Sequence, residues 1–352
     1  MMQPIVLDKN FDPVLVLDFY ESFIWTERYS KAGDFEILIF ASIELLNNIR
    51  VGYYLYLEES DKLMIIETLK IQTNSTKGNK IRITGRSLES ILMRRIIWSQ
   101  TRLDGYLDGQ IKKILNENII NPSDSARRIP GFIYQDSTDP IITSMRITSQ
   151  YTGDNIYDIL SSICDERKIG FKVVFNRDNN TFVFSLYAGK DHSYAQTINE
   201  PVEFSPEFDN LIDSEYVYHI LNYKSMALIA GQDTADQRVR TTVFVDNSTG
   251  LERRELYIDA RDLQQDEETT DADYLASLAQ RATEKLSEYK EESSFEGNMD
   301  TVISQTFNKD YFLGDIVYVE NEYGIGANCR VTELIRSNSS SGYAEYPTFE
   351  MI

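Results

Sequence analysis

The sequence has few of the residues on which most enzyme and metal sites depend. Its 352 residues include two histidines, His192 and His219, and two cysteines, Cys164 and Cys329. The cysteines are too few and too far apart for a disulfide framework or a metal cluster, so we expect folding in a reducing cytoplasm. A catalytic triad or Cys–His pair would depend on one of the two histidines, and neither lies near a nucleophile elbow or in zinc-protease spacing. We predict no catalytic residue, no metal site and no cofactor.

Positive charge is also scarce. Lys and Arg number 35 against 56 Asp and Glu, which gives a net charge of −21 at neutral pH. Phosphate contacts need cations, so this balance argues against ordinary nucleic-acid binding and predicts that most of the surface repels DNA. In a monomer the acidic excess mainly favours solubility. In a ring-shaped oligomer it would also coat a channel through which a polyanion passes without sticking.

Long apolar runs are absent as well. No stretch approaches the ~18 uninterrupted apolar residues of a membrane span. Residues 1–10 lack the basic segment and the apolar run of a secretory signal. We therefore predict neither a membrane span nor secretion of the single chain. What the chain does have is 42% hydrophobic and 12% aromatic residues, enough to fill the cores of two to four domains.

Residues 5–85 have the alternating pattern of short strands. The predicted strands are Val14–Asp18, Phe23–Tyr29, Phe35–Phe40, Gly52–Leu57, Lys62–Ile71 and Lys80–Gly85. Residues 74–79 have turn chemistry, so the last two strands should form a hairpin. We predict an antiparallel barrel or sandwich that switches at Gly85 into a helix capped by Ser87.

Residues 101–200 have a different pattern, which is typical of an α+β unit. Apolar residues at helical spacing predict one helix near 107–115 and a second near 156–163, with Asp154 near its start and Gly170 just past its end. Residues 171–175 and 181–187 follow as strands, and the polar segment between them predicts a hairpin.

The second half of the chain returns to strand patterns and is rich in acids. Strands are predicted at 213–221, 225–231 and 239–246, and residues 199–218 hold six acids without a Lys or Arg: Glu200, Glu203, Glu207, Asp209, Asp213 and Glu215. Residues 264–271 form a polar entry to a long amphipathic helix with the apolar face Leu275, Leu278, Ala279, Ala282, Leu286 and Tyr289 and with Glu284 on its polar face. The last predicted strands are Met299–Thr306, Asp315–Glu320, Cys329–Arg336 and Tyr343–Met351.

Several side chains leave alternatives open. Arg94 and Arg95 would either bind phosphate or complement the dipole of the helix that they end. Trp25 and Trp98 are predicted to pack in cores, although tryptophan beside an acid is also expected around a sugar. A glycosidase needs only two carboxylates at a defined separation, and 56 acids leave that function open. The 22 tyrosines suit a carbohydrate-binding adhesin and an oligomer interface equally well.

The order of several segments resembles the siphophage tail-hub family, whose fold is shared with the N-terminal region of tail-associated lysins and with contractile-tail baseplate hubs. The similarity covers nearly the whole chain. Its carriers are Trp25–Glu36, Gly85–Arg95, Tyr151–Asp158, Asn210–Asp213, Tyr257–Arg261 and Gly314–Val317.

This resemblance implies an α+β, mostly β fold with two small β-barrel domains and inserted α+β domains, the phage baseplate-hub fold. Residues 1–100 with 201–245 would form the first barrel, and 101–200 an inserted α+β domain. Residues 246–296 would form a small acidic domain with a helix, and 297–352 the second barrel.

The resemblance also implies a function in the virion, at the tail tip. A homotrimer would form a pseudo-hexameric ring that continues or closes the tail tube and lets DNA pass without specific binding. The distal tail protein and tail-tube ring would lie above it, and tip, fibre or receptor-binding proteins below. The chain ends just after the last expected strand, so we expect no hydrolase extension and no enzyme activity. The alternative functions are a tail-associated cell-wall hydrolase and a carbohydrate-binding adhesin.

Overall fold

The computed structural model describes residues 2–76, 78–232, 238–265, 269–299 and 306–352. The fold is α+β and mostly β, as the sequence predicts. Within the described residues the strands are β1 Ile5–Leu7, β2 Pro13–Val16, β3 Ser22–Arg28, β4 Asp34–Phe40, β5 Tyr54–Tyr56, β6 Leu63–Gln72, β7 Lys80–Ser87, β8 Thr101–Tyr106, β9 Phe132–Tyr134, β10 Arg146–Tyr151, β11 Gly170–Asn176, β12 Thr181–Tyr187, β13 Glu203–Phe204, β14 Leu211–His219, β15 Met226–Ala230, β16 Arg240–Phe244, β17 Glu255–Asp259, β18 Glu292–Met299, β19 Ile316–Glu320, β20 Gly326–Ser339 and β21 Gly342–Met351.

Helices are short except for one. The α-helices are α1 Ile43–Asn48, α2 Leu107–Leu115, α3 Pro140–Ser144, α4 Ile156–Arg167 and α5 Asp271–Ser287, and a 3-10 helix spans Leu88–Arg94. Helix α4 begins after Asn155, whose side chain accepts a hydrogen bond from Tyr157 N, and ends at Lys168 in the left-handed conformation. Helix α5 begins after Thr270, whose hydroxyl accepts from Asp273 N. The sequence did not predict α1.

One large sheet runs through both ends of the chain. Its hydrogen-bonded order is β14-β18-β21-β20-β3-β4-β7-β6-β5-β1-β2, and β19, paired with β13, joins it through β20. We call β1–β7 the first β module, and β13, β14 and β18–β21 the second. The two modules meet where β3 pairs antiparallel with the C-terminal half of β20.

Smaller sheets belong to the segments between the modules. Strands β8 and β10 form a two-stranded ladder, and β11, β12 and β9 form a three-stranded sheet. The predicted hairpins β6–β7 and β11–β12 are confirmed. The predicted strand Met299–Thr306 falls mostly outside the described residues, as do residues 266–268 of the polar entry to α5.

The pairing of residues 201–245 differs from the predicted one. We expected these strands to complete the first barrel, whereas β13 pairs with β19 and β14 pairs with β18, both in the second β module. Strands β15 and β16 instead form a separate sheet with β17, on which α5 packs. Alternation identifies a strand but not its partner, and these partners are distant in sequence.

The switch at Gly85 was also predicted wrongly. Strand β7 continues through Gly85 to Ser87, and the helix that follows is 3-10. The Ser87 hydroxyl caps no helix; it accepts a hydrogen bond from Gly33 N at 2.8 Å. Ser87 is fully buried, so its side chain links β7 to the loop before β4.

Four hydrophobic clusters divide the described residues. One fills the first β module around Trp25, and another fills the second around Phe204. The largest, around Ile114, belongs mainly to residues 88–186, and the smallest lies between α5 and the sheet of β15–β17. The division into four domains stays a prediction. No described residue of 201–245 belongs to the cluster of the first β module.

Candidate assembly surface

The first segment on which the family resemblance rests, Trp25–Glu36, begins in strand β3 and ends in strand β4. Phe23, Trp25 and Glu27 share the inward face of β3, because alternate residues of a strand point the same way. Trp25 is fully buried, and its indole Nε1 donates to Glu27 Oε1 at 3.2 Å. A buried carboxylate is costly unless it is paired with a cation. Glu27 therefore indicates a contact with a positively charged side chain, and that side chain comes from outside its own module.

The partner of Glu27 comes from the second β module. Arg336, on β20, donates from Nη1 to Glu27 Oε1 at 2.5 Å and from Nε to Glu345 Oε1 at 3.3 Å. Ser60 Oγ also donates to Glu27 Oε1, at 2.8 Å. Burial lowers the pKa of Arg336, but Glu27 and Glu345 more than offset this, so its pKa is raised and it stays charged. We call Glu27, Ser60, Arg336 and Glu345 the junction cluster.

Arg28, the last residue of β3, and Tyr29 after it extend the same junction. Arg28 pairs with Asp34 in its own module and with Glu333 on β20. Tyr29 packs in the core of the second module, and its hydroxyl accepts a hydrogen bond from Gly189 N at 3.1 Å. Burial raises the pKa of Tyr29 to about 12. Three consecutive residues, the last two of β3 and the one that follows it, therefore contact the second module, and the two modules form one continuous structure.

Both ends of the large sheet present unpaired strand edges in the described part of the chain. Strand β2 lies at one end, and Val14, Val16 and the following Phe19 are 38%, 47% and 86% exposed. Strand β14 lies at the other end, with Tyr218 55% exposed. Exposed edges with apolar side chains are templates for pairing with another chain.

Strands β14 and β18 carry an acidic ribbon. Glu215 lies directly opposite Glu296 in the antiparallel register, and both are exposed. Like charges opposite each other in a sheet are destabilising. Of the six acids in residues 199–218, four are exposed, namely Glu200, Glu207, Asp209 and Glu215. The side chain of Asp213 is not among those that the structure describes.

A polar cleft of about 860 Å³ separates the second module from α4 and from the C-terminal end of α5. In it Lys290 Nζ lies 2.7 Å from Glu350 Oε1 and 3.6 Å from Asp165 Oδ2, and Lys168 Nζ lies 3.3 Å from Glu350 Oε1. Burial raises the pKa of Glu350, but the two lysines outweigh it and the pKa is lowered. Lys168, Lys290, Asp165 and Glu350 are thus paired with one another.

The residues considered for catalysis are occupied by structural contacts. His192 Nδ1 lies 2.8 Å from the carbonyl oxygen of Glu200, and its Nε2 lies 3.5 Å from Asp315. His219 Nε2 lies 3.2 Å from Glu292. Among the described residues, no group of three or more His, Cys, Asp and Glu could hold a metal ion.

The two tryptophans have different environments. Trp25 is buried, as predicted, but Trp98 is 63% exposed, so the prediction that it packs in a core was wrong. Trp98 lies four residues after the end of the 3-10 helix. The guanidinium carbon of Arg127 lies 4.9 Å from the centre of its ring. Glu284 was assigned to the polar face of α5, yet it is only 3% exposed. The sequence gives no signal for the exposure of Trp98 or for the burial of Glu284, because each depends on whether a segment distant in sequence packs over the side chain.

Solved structures of phage tail proteins have the same fold. The tail protein of Neisseria meningitidis MC58 matches with a TM-score of 0.59 at 14% identity, over 99% of this chain and 96% of that one. The 43 kDa tail protein of prophage MuSo2 from Shewanella oneidensis matches with 0.58 at 15% identity, over 99% and 98%. Prophage tail protein gp18 from Listeria monocytogenes EGD-e matches with 0.53 at 15% identity, over 99% and 94%.

The family of the chain follows from its sequence. The model of the siphovirus ReqiPepy6 Gp37-like protein family matches residues 4–349, so the chain belongs to that family. The resemblance predicted from the sequence is thereby confirmed. No curated protein matches the chain. None of the helices in the described ranges is long and apolar enough to cross a membrane.

Proposed function

We propose that the protein is a structural hub at the tip of a siphophage tail, where three copies form a ring of six β modules. The observation that carries this proposal is the continuous sheet through β3 and β20, which fixes two β modules of one chain side by side. A trimer of such pairs presents six modules to a hexameric ring of the tail tube. The shared fold of tail proteins supports this assignment.

The contacts between copies would use the unpaired edges of the large sheet. In the proposed ring, the β2 edge of one copy meets the β14 edge of the next, which covers Val16, Phe19 and Tyr218. This arrangement removes apolar side chains from water and gives unpaired backbone groups partners. The interface is heterologous, and it closes because the trimer is cyclic.

The acidic ribbon of Glu215 and Glu296 would face the channel of the ring. There the like charges that weaken the isolated sheet keep the DNA phosphates from binding. DNA would then pass without specific contacts. The distal tail protein and the tail-tube ring would bind above the trimer, and tip, fibre or receptor-binding proteins below. We propose no enzyme activity for this chain.

Light scattering on the purified protein, alone and with the distal tail protein, tests the ring. We expect three copies in at least one condition, and we expect Phe19→Asp to yield monomers. Leu251→Asp is the matched control, because Leu251 is 94% exposed but lies on neither free edge of the large sheet. A wild-type monomer in both conditions contradicts the ring, and equal effects of both substitutions contradict the proposed edge contact.

DNA ejection tests the channel separately. Virions assembled with Glu215→Lys and Glu296→Lys are expected to eject DNA more slowly at low salt and normally at high salt, because screening weakens phosphate binding. Ejection that is unchanged at every salt concentration would place the acidic ribbon away from the DNA path.

A further inference from the structure

The sequence left phosphate binding and helix-dipole complementation open for Arg94 and Arg95. In the structure Arg95 lies against residues 125–128. Arg95 Nε donates to the carbonyl oxygen of Arg127 at 2.8 Å, and Arg127 Nη2 donates to that of Ile96 at 2.7 Å. Arg95 Nη1 also donates to the carbonyl oxygen of Arg94 at 2.9 Å, where the 3-10 helix ends. Arg95 therefore serves the end of the helix, whereas Arg94 stays exposed.

The exposed Trp98 is held in the same place by a buried side chain. Asn118 is 2% exposed, and its Oδ1 accepts from Trp98 N at 3.1 Å and from Arg127 Nη2 at 3.3 Å. The Arg127 guanidinium lies 4.9 Å from the centre of the Trp98 ring. The backbone at Trp98 is thus held by Asn118, and Arg127 covers one face of its ring. Such preorganisation lowers the entropy cost of binding.

Charge makes this place unusual in an acidic protein. None of Arg94, Arg95, Arg127 and Arg128 forms a salt bridge with a carboxylate in the described part of the chain. The one acid of residues 124–128, Asp124, accepts from Ala126 N at 2.9 Å. We call Trp98, Arg95 and Arg127, together with their exposed chain neighbours Arg94 and Arg128, the Arg–Trp surface. Ile96 beside it is 40% exposed.

We propose that the Arg–Trp surface binds an acidic segment of a partner protein, with an apolar side chain of that segment packed on Trp98. Arginine and tryptophan are among the residues that most often dominate protein interfaces, and a guanidinium group without a carboxylate partner can donate two parallel hydrogen bonds to one. The proposal is independent of the proposed ring, since it needs only this surface.

A short acidic segment fits the surface better than duplex DNA does. The local positive field extends about 8 Å at physiological ionic strength, so a short segment meets the arginines without meeting the rest of the protein. A long duplex also meets the surrounding surface of a chain with net charge −21. An apolar side chain can cover Trp98 and Ile96, whereas the bases of a duplex are stacked inside it.

Trp98 provides the measurement. It is one of two tryptophans, and the other, Trp25, is fully buried, so quenching by neutral acrylamide reports mainly on Trp98. The probe is a synthetic peptide that alternates Glu and Leu, and the control peptide alternates Gln and Leu. We expect the Glu peptide to protect Trp98 from acrylamide and the Gln peptide to leave quenching unchanged.

Variants locate the binding. In the full chain, Arg94→Glu with Arg128→Glu should weaken binding of the labelled Glu peptide, measured by anisotropy, at least about tenfold, the loss expected for charge-assisted pairs. Arg50→Glu, an exposed arginine of the first module, should leave it unchanged. Equal binding by all variants, or no protection of Trp98, overturns the proposal. Tighter binding of duplex DNA or inorganic polyphosphate than of the peptide overturns the choice of a protein partner.

Discussion

Buried charges are concentrated where parts of the molecule meet. The junction cluster joins the two β modules, and Lys62 on the first module pairs with Glu89 at 2.5 Å, whose Oε1 also accepts from Val173 N at 3.1 Å. Desolvation makes such pairs poor sources of net stability, but each charge needs its particular partner. We infer that they fix the relative positions of the modules, which apolar packing alone specifies less strictly.

Removing Arg336 should therefore be costly. In Arg336→Met the carboxylates of Glu27 and Glu345 stay buried without their cation, so we expect a loss of about 3–5 kcal/mol in the free energy of unfolding. Urea denaturation measures this. Arg82→Met is the control, because Arg82 and Glu36 form an exposed pair at 3.1 Å that contributes at most about 1 kcal/mol. Losses of similar size in both variants would show that the junction cluster does not constrain the fold.

Glu284 gives a prediction about pH. Burial raises its pKa, although Gln280, Tyr151 and Arg281 lower it. Since the folded-state pKa lies above the unfolded one, the folded state binds this proton more tightly. The contribution of Glu284 to stability is present below the unfolded pKa and is lost as pH rises through the folded pKa.

Glu284→Gln removes this titration and keeps an acceptor for the Tyr151 hydroxyl, which donates to both carboxylate oxygens at 2.8 Å. We expect the variant to gain stability relative to wild type as pH rises from about 4.5 towards neutrality. The difference between the two curves isolates Glu284 from groups such as Glu350, whose lowered pKa acts in the opposite direction. Parallel curves would contradict a raised pKa.

At the scale of elements, the sequence predicts what local periodicity determines. Helix α5, helix α4 and the two hairpins follow from spacing and turn chemistry. The pairing of β14 with β18 does not, because alternation is the same whichever strand lies alongside. Glu284 was misassigned for a related reason. Helix α5 packs on β15 and β16 and also on α4 and β10, so it is buried on more than one face.

Gly85 shows how one residue keeps an element in place. A Cβ there would collide with the carbonyl oxygen of Ile65 on the neighbouring β6, next to the register shift between Ile66 and Thr68. The sequence motif around Gly85 therefore reflects close strand approach and not a helix start.

Gly85→Ala should push β6 from β7 and lower the free energy of unfolding by about 1–3 kcal/mol, the range of overpacked cores. Gly109→Ala is the matched control. Gly109 lies in α2 with open space around its Cα, so alanine there should stabilise by about 0.5–1 kcal/mol. Thermal denaturation of both variants measures these changes in stability. An unchanged melting temperature for Gly85→Ala would show that β6 and β7 can move apart without cost.

At the scale of the whole molecule, Tyr29 contacts three parts of the chain. It follows β3 of the first module, packs in the core of the second, and touches the inserted segment, where its ring lies 5.2 Å from that of Tyr187. A Cβ at either Gly170 or Gly314 would collide with the Tyr29 ring. Both segments therefore approach the same side chain closely, and coupling between the modules and the inserted segment should depend on it.

Tyr29→Ala is expected to loosen this meeting point while each hydrophobic cluster remains folded. Amide hydrogen exchange should accelerate in residues 187–190 and 311–316, which line the ring and its hydroxyl, and stay slow in α5, whose cluster lies elsewhere. Tyr29→Phe keeps the ring but removes the acceptor of Gly189 N, so it should cost only about 1–3 kcal/mol and accelerate exchange mainly near Gly189. If Tyr29→Ala instead accelerated exchange uniformly across the described segments, the molecule would unfold as one unit, and the continuous sheet, not Tyr29, would carry the coupling.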